Sequence, residues 1–240
     1  MRVEPHGIGS VLHVVKRGAR GGDIVRDDDD RRHFVRSLFF LNDTYQDSHA
    51  VRISSGDAPL VRPEHWPEGE PLVDILAWTL MPNHLHLVLQ EIREGGIAKF
   101  MQRLCGSMSA RSNAKNRESG SLFQGGYKGR VVEDDADLRW LASYVMVKNV
   151  FELYPGGLKA AACDFDKAWE WAKENPNTSL STYAAAVPSP IISADNVLFS
   201  LLGVPNHFKD VANDMILSYV SRRDEERLAI ALEPGINREV

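Results

Sequence analysis

Trp78-Thr79-Leu80-Met81-Pro82-Asn83-His84-Leu85-His86-Leu87-Val88-Leu89 is the stretch from which the rest of the chain can be read. Apolar, β-prone residues flank a Met-Pro-Asn interruption. Proline cannot donate to a ladder and asparagine favours turn geometry, so the pattern predicts two strands, 73–80 and 84–90, closed into a hairpin. Side chains two apart on a strand share a face, so His84 and His86 project together while Leu85 points the other way. Two imidazoles on one face can grip one divalent cation. A His-x-His pair in a strand is more commonly structural, so its surroundings must decide. Spacing argues against a structural zinc centre: the next histidine is His207, and Cys105 and Cys163 form no Cys-x-x-Cys unit.

Working outward, residues 11–16 are apolar and β-rich, and the acidic run Asp27–Asp30 then supplies a helix N-terminus leading into Phe34, Leu38 and Leu41 at helical spacing. The run suits a cap better than a metal site. Residues 46–71, rich in proline, read as a long connection. After Gly95-Gly96, residues 97–116 are helical and basic with Phe100, Leu104 and Met108 as the buried stripe. A loop, a last strand over 127–132 and a helix over 136–150 follow. The order predicts an α+β fold, a ferredoxin-like split β-α-β-β-α-β core with an antiparallel sheet. From Tyr154 onward a loop and helices, at 165–175, 194–202 and 208–233, form a helical C-terminal tail, which divides the chain into residues 1–153 and an extension, 154–240.

Composition bounds the function classes. A chain of 240 residues with 43% hydrophobic content can bury a substantial core. No apolar run approaches the roughly 20 residues of a membrane span, and the start, Met1-Arg2-Val3-Glu4-Pro5-His6, has no signal-peptide core, so no membrane partner is expected. Two distant cysteines suggest no disulfide framework and fit a cytoplasmic location. The net charge of −5 argues against nucleic acid until its distribution is examined: residues 1–150 are balanced, and the deficit lies wholly in 151–240. Within 95–132, Lys99, Arg103, Arg111, Lys115, Arg117, Lys128 and Arg130 face the single acid Glu118. Such a patch attracts phosphate, and several of these side chains are expected to share a surface bordering the histidine pair.

The chain resembles the single-tyrosine HUH transposases of small insertion sequences, most closely the REP-associated tyrosine transposases. The resemblance is carried by an ordered series: His13-Val14-Val15-Lys16-Arg17-Gly18, Met81-Pro82-Asn83-His84-Leu85-His86, Ile97-Ala98-Lys99-Phe100-Met101-Gln102, Gly120-Ser121-Leu122-Phe123-Gln124-Gly125-Gly126-Tyr127-Lys128, and Asp137-Leu138 leading to Tyr144. It spans roughly residues 10–155 and implies the same core, with the histidines on the sheet and a nucleophilic tyrosine on the helix that follows. Tyr144 would attack a single-strand DNA phosphodiester and conserve its energy as a 5′-phosphotyrosyl ester, with Mg2+ or Mn2+ on His84 and His86 polarising the phosphate. Tyr127, at the edge of a strand, reads as a packing or DNA-contacting residue, and Tyr45, Tyr154, Tyr183 and Tyr219 lack the matching context. DNA contacts fall to Lys16, Arg17, Lys99, Arg103, Arg111, Lys115, Gln124, Lys128, Arg130 and Lys148, with single-stranded or hairpin DNA as partner.

One position departs from the family pattern. Relatives commonly place Asn or Gln one helical turn after the tyrosine to complete the metal site, whereas this chain has Lys148, and protonated lysine cannot ligate metal. Asn149 or Glu152 could substitute through a local change in helix geometry. Alternatively, two histidines, substrate and water could suffice, Lys148 could contact phosphate, or the protein could be a domesticated DNA-binding protein without cleavage. A cupin-type enzyme also begins from His-x-His, but its third barrel histidine is absent. The tail favours a monomer, with a homodimer exchanging helices as the alternative.

Overall fold

In the computed structural model, which describes residues 3–46 and 59–221, four strands form one sheet in the order β2-β3-β1-β4, every neighbouring pair antiparallel. The strands are β1 (Val11–Arg17), β2 (Val73–Met81), β3 (His84–Glu91) and β4 (Lys128–Val131). Helix α1 (Asp28–Phe40) links β1 to β2, and α2 (Gly96–Asn116) links β3 to β4. This is the split β-α-β-β-α-β core expected from the sequence. The β2–β3 turn is the two-residue Pro82-Asn83 loop, because Met81 pairs directly with His84. The proline-rich connection is described only from residue 59.

Strand register assigns every side chain to a face. His13, Val15 and Arg17 pair with Val88, His86 and His84, and Thr79 pairs with His86, so these residues share one face. Leu12, Val14 and Lys16 lie on the other, with Leu85, Leu87 and Trp78. Helices α1 and α2 cover that second face: Phe34 meets Trp78 edge to face at 5.6 Å, and α2 packs on α1. Buried, fully packed side chains such as Phe34, Leu38, Phe100 and Leu104 each contribute about 1.5–3 kcal/mol of hydrophobic stabilisation.

The histidine face is covered by a helix with an irregularity. Helix α3 (Asp135–Ser143) starts at Asp134, whose carboxylate accepts from the Asp137 N–H, and runs into a π turn (Tyr144–Lys148) before α4 (Asn149–Phe151). The sequence predicts one regular helix over 136–150 here. A π turn inserts an extra residue, weakening the local carbonyl ladder. Here two threonines bond to its carbonyls: Thr79 Oγ1 donates to the Val145 carbonyl at 2.5 Å, and Thr178 Oγ1 to that of Met146 at 3.3 Å.

The tail adds α5 (Gly157–Cys163), α6 (Phe165–Lys173), α7 (Leu180–Ala184), α8 (Val197–Leu202) and α9 (Pro205–Ser221). Helices α5 and α7 were not expected from the sequence, and the predicted continuation of the last helix to residue 233 lies outside the described residues. Segment 177–183 caps the outer edge of β2. The Leu80 and Ser179 N–H groups donate to Asn177 and Trp78 carbonyls at 2.8 and 3.1 Å, and the Tyr183 hydroxyl donates to the Leu76 carbonyl at 2.5 Å. An edge so covered is withdrawn from intermolecular pairing. Leu180, Leu198, Phe208 and Ile216 join the same buried cluster as the sheet. No helix among the described residues is long and apolar enough to cross a membrane.

Candidate active site

His84 and His86 do project together, with ring centroids 4.8 Å apart, and a third imidazole joins them. His13, on the neighbouring strand, places Nε2 2.9 Å from His86 Nδ1. The sequence reading used His13 only as part of the resemblance and assigned it no role. Its signal was the alternation His13-Val15-Arg17, but only strand order shows that this row adjoins the His84–His86 row. His84 Nδ1 lies 2.7 Å from Asn83 Oδ1.

All three rings are held neutral. Burial, then the charge of Arg130, lowers His13 to about 3. Burial, then Arg17 and Lys148, lowers His84 to about 4. Burial and the neighbouring histidines hold His86 well below the ordinary imidazole range. Neutral imidazole is the form that ligates a metal, so the pair is ligand-competent at neutral pH.

Tyr144 faces this cluster from the π turn of its own chain. Its ring meets His86 at 5.8 Å and His13 at 6.1 Å, both edge to face, and stacks on Trp140 at 5.3 Å. It is 7% exposed. Helix α3 is tied to the sheet by the bidentate pair from Arg130 to Asp137, at 2.7 and 2.8 Å. Arg130, expected to contact DNA, is thus engaged in placing the helix that leads to Tyr144.

The π turn changes the meaning of the position after the tyrosine. In an α-helix Lys148 would stand one turn beyond Tyr144, but here the Asn149 N–H donates to the Tyr144 carbonyl, an i to i+5 bond. The backbone hydrogen bond thus passes over Lys148 and closes on Asn149. Asn149 is 1% exposed, and its side-chain Nδ2 has no hydrogen-bond partner. A buried amide donor without a partner costs about 1–3 kcal/mol; as an N–H group it can donate to an acceptor but does not ligate a metal. Lys148 instead places its ammonium 4.9 Å from the Tyr144 ring centre and 5.0 Å from that of Tyr219 on α9, and donates to Glu152 Oε1 at 2.5 Å. Burial opposes its charge, yet Tyr144 and Glu152 outweigh burial and push its pKa up. Glu152 is turned to Lys148, and among the described residues no three His, Cys, Asp or Glu side chains gather as a metal site. The groups the fold brings together that suit a hard or borderline cation are the two imidazoles of His84 and His86.

The basic residues do not form the single track expected beside the histidines. Arg17 and Lys128 lie on the histidine face, opposite His84 and Val15 respectively, and exposed Gln124 is tied to that strand end by its N–H to the Arg17 carbonyl. Lys99, Arg103, Arg111 and Lys115 stand on α2, behind the sheet. There Arg111 pairs with Asp29, Lys115 binds Asp27 and Asp30 at 2.6 Å, and Arg103 donates to the Asp43 and Thr44 carbonyls. Lys16 is buried on the same side and donates to the Gly125 carbonyl. Of the seven basic residues of 95–132, Arg111 and Lys115 are answered by the acidic run of α1, which also caps that helix through Asp27.

Residues 70–148 match the family model described as "Transposase IS200 like". The matched span holds the hairpin, both motif histidines, α2, β4 and the π turn with Tyr144, so the resemblance read from the sequence is met there. No curated protein matches the chain. Among solved structures, that of a REP-associated tyrosine transposase bound to a REP hairpin matches with a TM-score of 0.49 and 12% identity, over 81% of this chain and 90% of that one.

Proposed function

We propose, from the IS200-like transposase match over residues 70–148, that this protein nicks and rejoins single-stranded DNA at hairpin-forming repeats through a 5′-phosphotyrosyl intermediate. The observation that carries the proposal is the approach of Tyr144 to His86, 5.8 Å between ring centres, within one chain. Tyr144 Oη attacks phosphorus, the bond to the 3′ oxygen of the upstream nucleotide breaks, and that oxygen leaves to take a proton. The reverse attack by a 3′ hydroxyl reseals the strand without a nucleotide cofactor. His84 and His86 would hold Mg2+ or Mn2+, which when bound supplies positive charge at the non-bridging phosphate oxygens. Lys148 keeps a fixed positive charge beside Tyr144, where the phenolate forms. Arg17, Lys128 and Gln124 border the site and would hold the strand by its phosphates. A single chain holds nucleophile and histidines together, so a monomer suffices, and the cytoplasm is the compartment proposed for the reaction.

Covalent trapping tests this reading. Incubation with a hairpin-flanked single strand and Mn2+ is expected to give a denaturation-resistant adduct that maps to Tyr144. A second reading, a DNA-binding protein that does not cleave, is favoured by Lys148 at the position where relatives carry a ligand. Tight hairpin binding with no adduct under any divalent cation would establish that reading instead.

A further inference from the structure

Each motif histidine uses Nδ1 for a hydrogen bond inside the protein, and the two partners come from different elements. Asn83 in the hairpin turn serves His84 at 2.7 Å, and His13 on β1 serves His86 at 2.9 Å. Asn83 is itself held in place. Its carbonyl accepts the Gly18 N–H at 2.8 Å, and its Nδ2 donates to the Gly21 carbonyl at 3.3 Å, which turns Oδ1 toward His84. Gly18 leaves no room for a Cβ, which would lie 2.0 Å from the Gly22 carbonyl oxygen of its own turn. An amide oxygen only accepts, so the proton of His84 sits on Nδ1 and the lone pair on Nε2.

The His13–His86 contact is geometrically just as defined. The rings are 5.2 Å apart at their centroids and 13° from coplanar. With the two nitrogens 2.9 Å apart, parallel rings cannot lie face to face; they meet edge to edge, the lone pair of one aimed along the N–H of the other. Either ring could donate. If His13 donates, His86 carries its own proton on Nε2 and cannot ligate; if His86 donates, its Nε2 is free for a metal. Only the second arrangement agrees with His84, where the proton is already on Nδ1.

We propose that His13 and Asn83 are positioning residues of the cation site, each fixing the Nδ1–H tautomer of one motif histidine so that His84 and His86 both present Nε2. The proposal rests on the reading of His84 and His86 as cation ligands. His13 then carries its own proton on Nδ1 and accepts at Nε2, and the sheet register of β1 against β3 becomes part of the metal site's design.

Long-range proton–nitrogen spectra of histidine-labelled, metal-free protein read the tautomers directly and need no variant: His84 and His86 are expected as Nδ1–H. In His13→Phe, which keeps a ring but no acceptor, His86 should move toward the Nε2–H form and Mn2+ affinity, measured by calorimetry, should fall about 10–100-fold. His13→Gln, whose amide oxygen can replace the acceptor, should restore both. An Nε2–H tautomer of His86 in the wild-type chain would overturn the proposal, as would unchanged tautomer and affinity in His13→Phe. Mn2+ binding that is equal in wild type and His84→Ala would overturn the cation reading itself, a distinct outcome.

Discussion

Tyr144 lies with its ring between Trp140 and two imidazoles, so its chemistry is set by neighbours from three elements. Substituting Phe removes only the hydroxyl oxygen and leaves those ring contacts. Tyr144→Phe is therefore expected to keep its fold and hairpin affinity while forming no covalent adduct; an adduct at the wild-type level would move the nucleophile elsewhere. Lys148 is the residue whose role the structure redefines. Its ammonium sits beside the Tyr144 ring rather than in a ligand position. Lys148→Met should slow single-turnover cleavage by on the order of 10²-fold, as loss of a preorganised charge does, with Mn2+ affinity unchanged. A gain in activity would show that lysine obstructs the site.

Among the elements, the π turn is the one on which site geometry depends. It joins the Asn149 N–H to the Tyr144 carbonyl, and the hydroxyls of Thr79 and Thr178 bind its carbonyls. Thr79→Val leaves the Val145 carbonyl without that bond and should destabilise the fold by about 1–3 kcal/mol in urea unfolding. If the turn also slips toward α-helix, Tyr144 shifts from the histidines and adduct formation falls with it; a purely structural loss would leave adduct yield intact in the folded fraction. On the opposite face, His33 of α1 bonds Ser107 of α2 at 2.9 Å, and burial, then Arg111, lowers its pKa to about 4. A histidine depressed in the folded state is protonated first in the unfolded chain. Stability is thus full above pH about 6.5 and is lost as pH falls toward 4, by at most on the order of 3 kcal/mol. His33→Gln should flatten that part of a pH–stability curve; an unchanged slope would assign it to other groups.

Among the described residues, basic side chains stand on both faces of the sheet in different settings. Behind the sheet, Arg111 and Lys115 are paired with the acids of α1, while Arg17 and Lys128 lie on the histidine face. Neutralising Arg17 and Lys128 together is expected to weaken hairpin binding and reduce the steepness of its salt dependence, each lost phosphate contact lowering the slope by about one. Arg111→Gln with Lys115→Gln should shift thermal stability and leave that slope nearly unchanged. The opposite result would place the DNA behind the sheet.

The hairpin, the shared face of His84 and His86, the cap at Asp27 and the order of elements are legible in the chain because each follows from local pattern: period-two alternation, a proline that cannot donate, a carboxylate before a helix. The chain also singles out Tyr144, by resemblance rather than by periodicity. Tertiary structure alone decided what adjoins what. His13 is 73 residues from His86, and only the pairing of β1 with β3 makes them neighbours. The basic run of α2 read as a DNA track because its answering acids lie on another helix, out of reach of any local count. The π turn is not legible in local sequence because the hydroxyls that bond its carbonyls come from β2 and the tail, outside the helix itself.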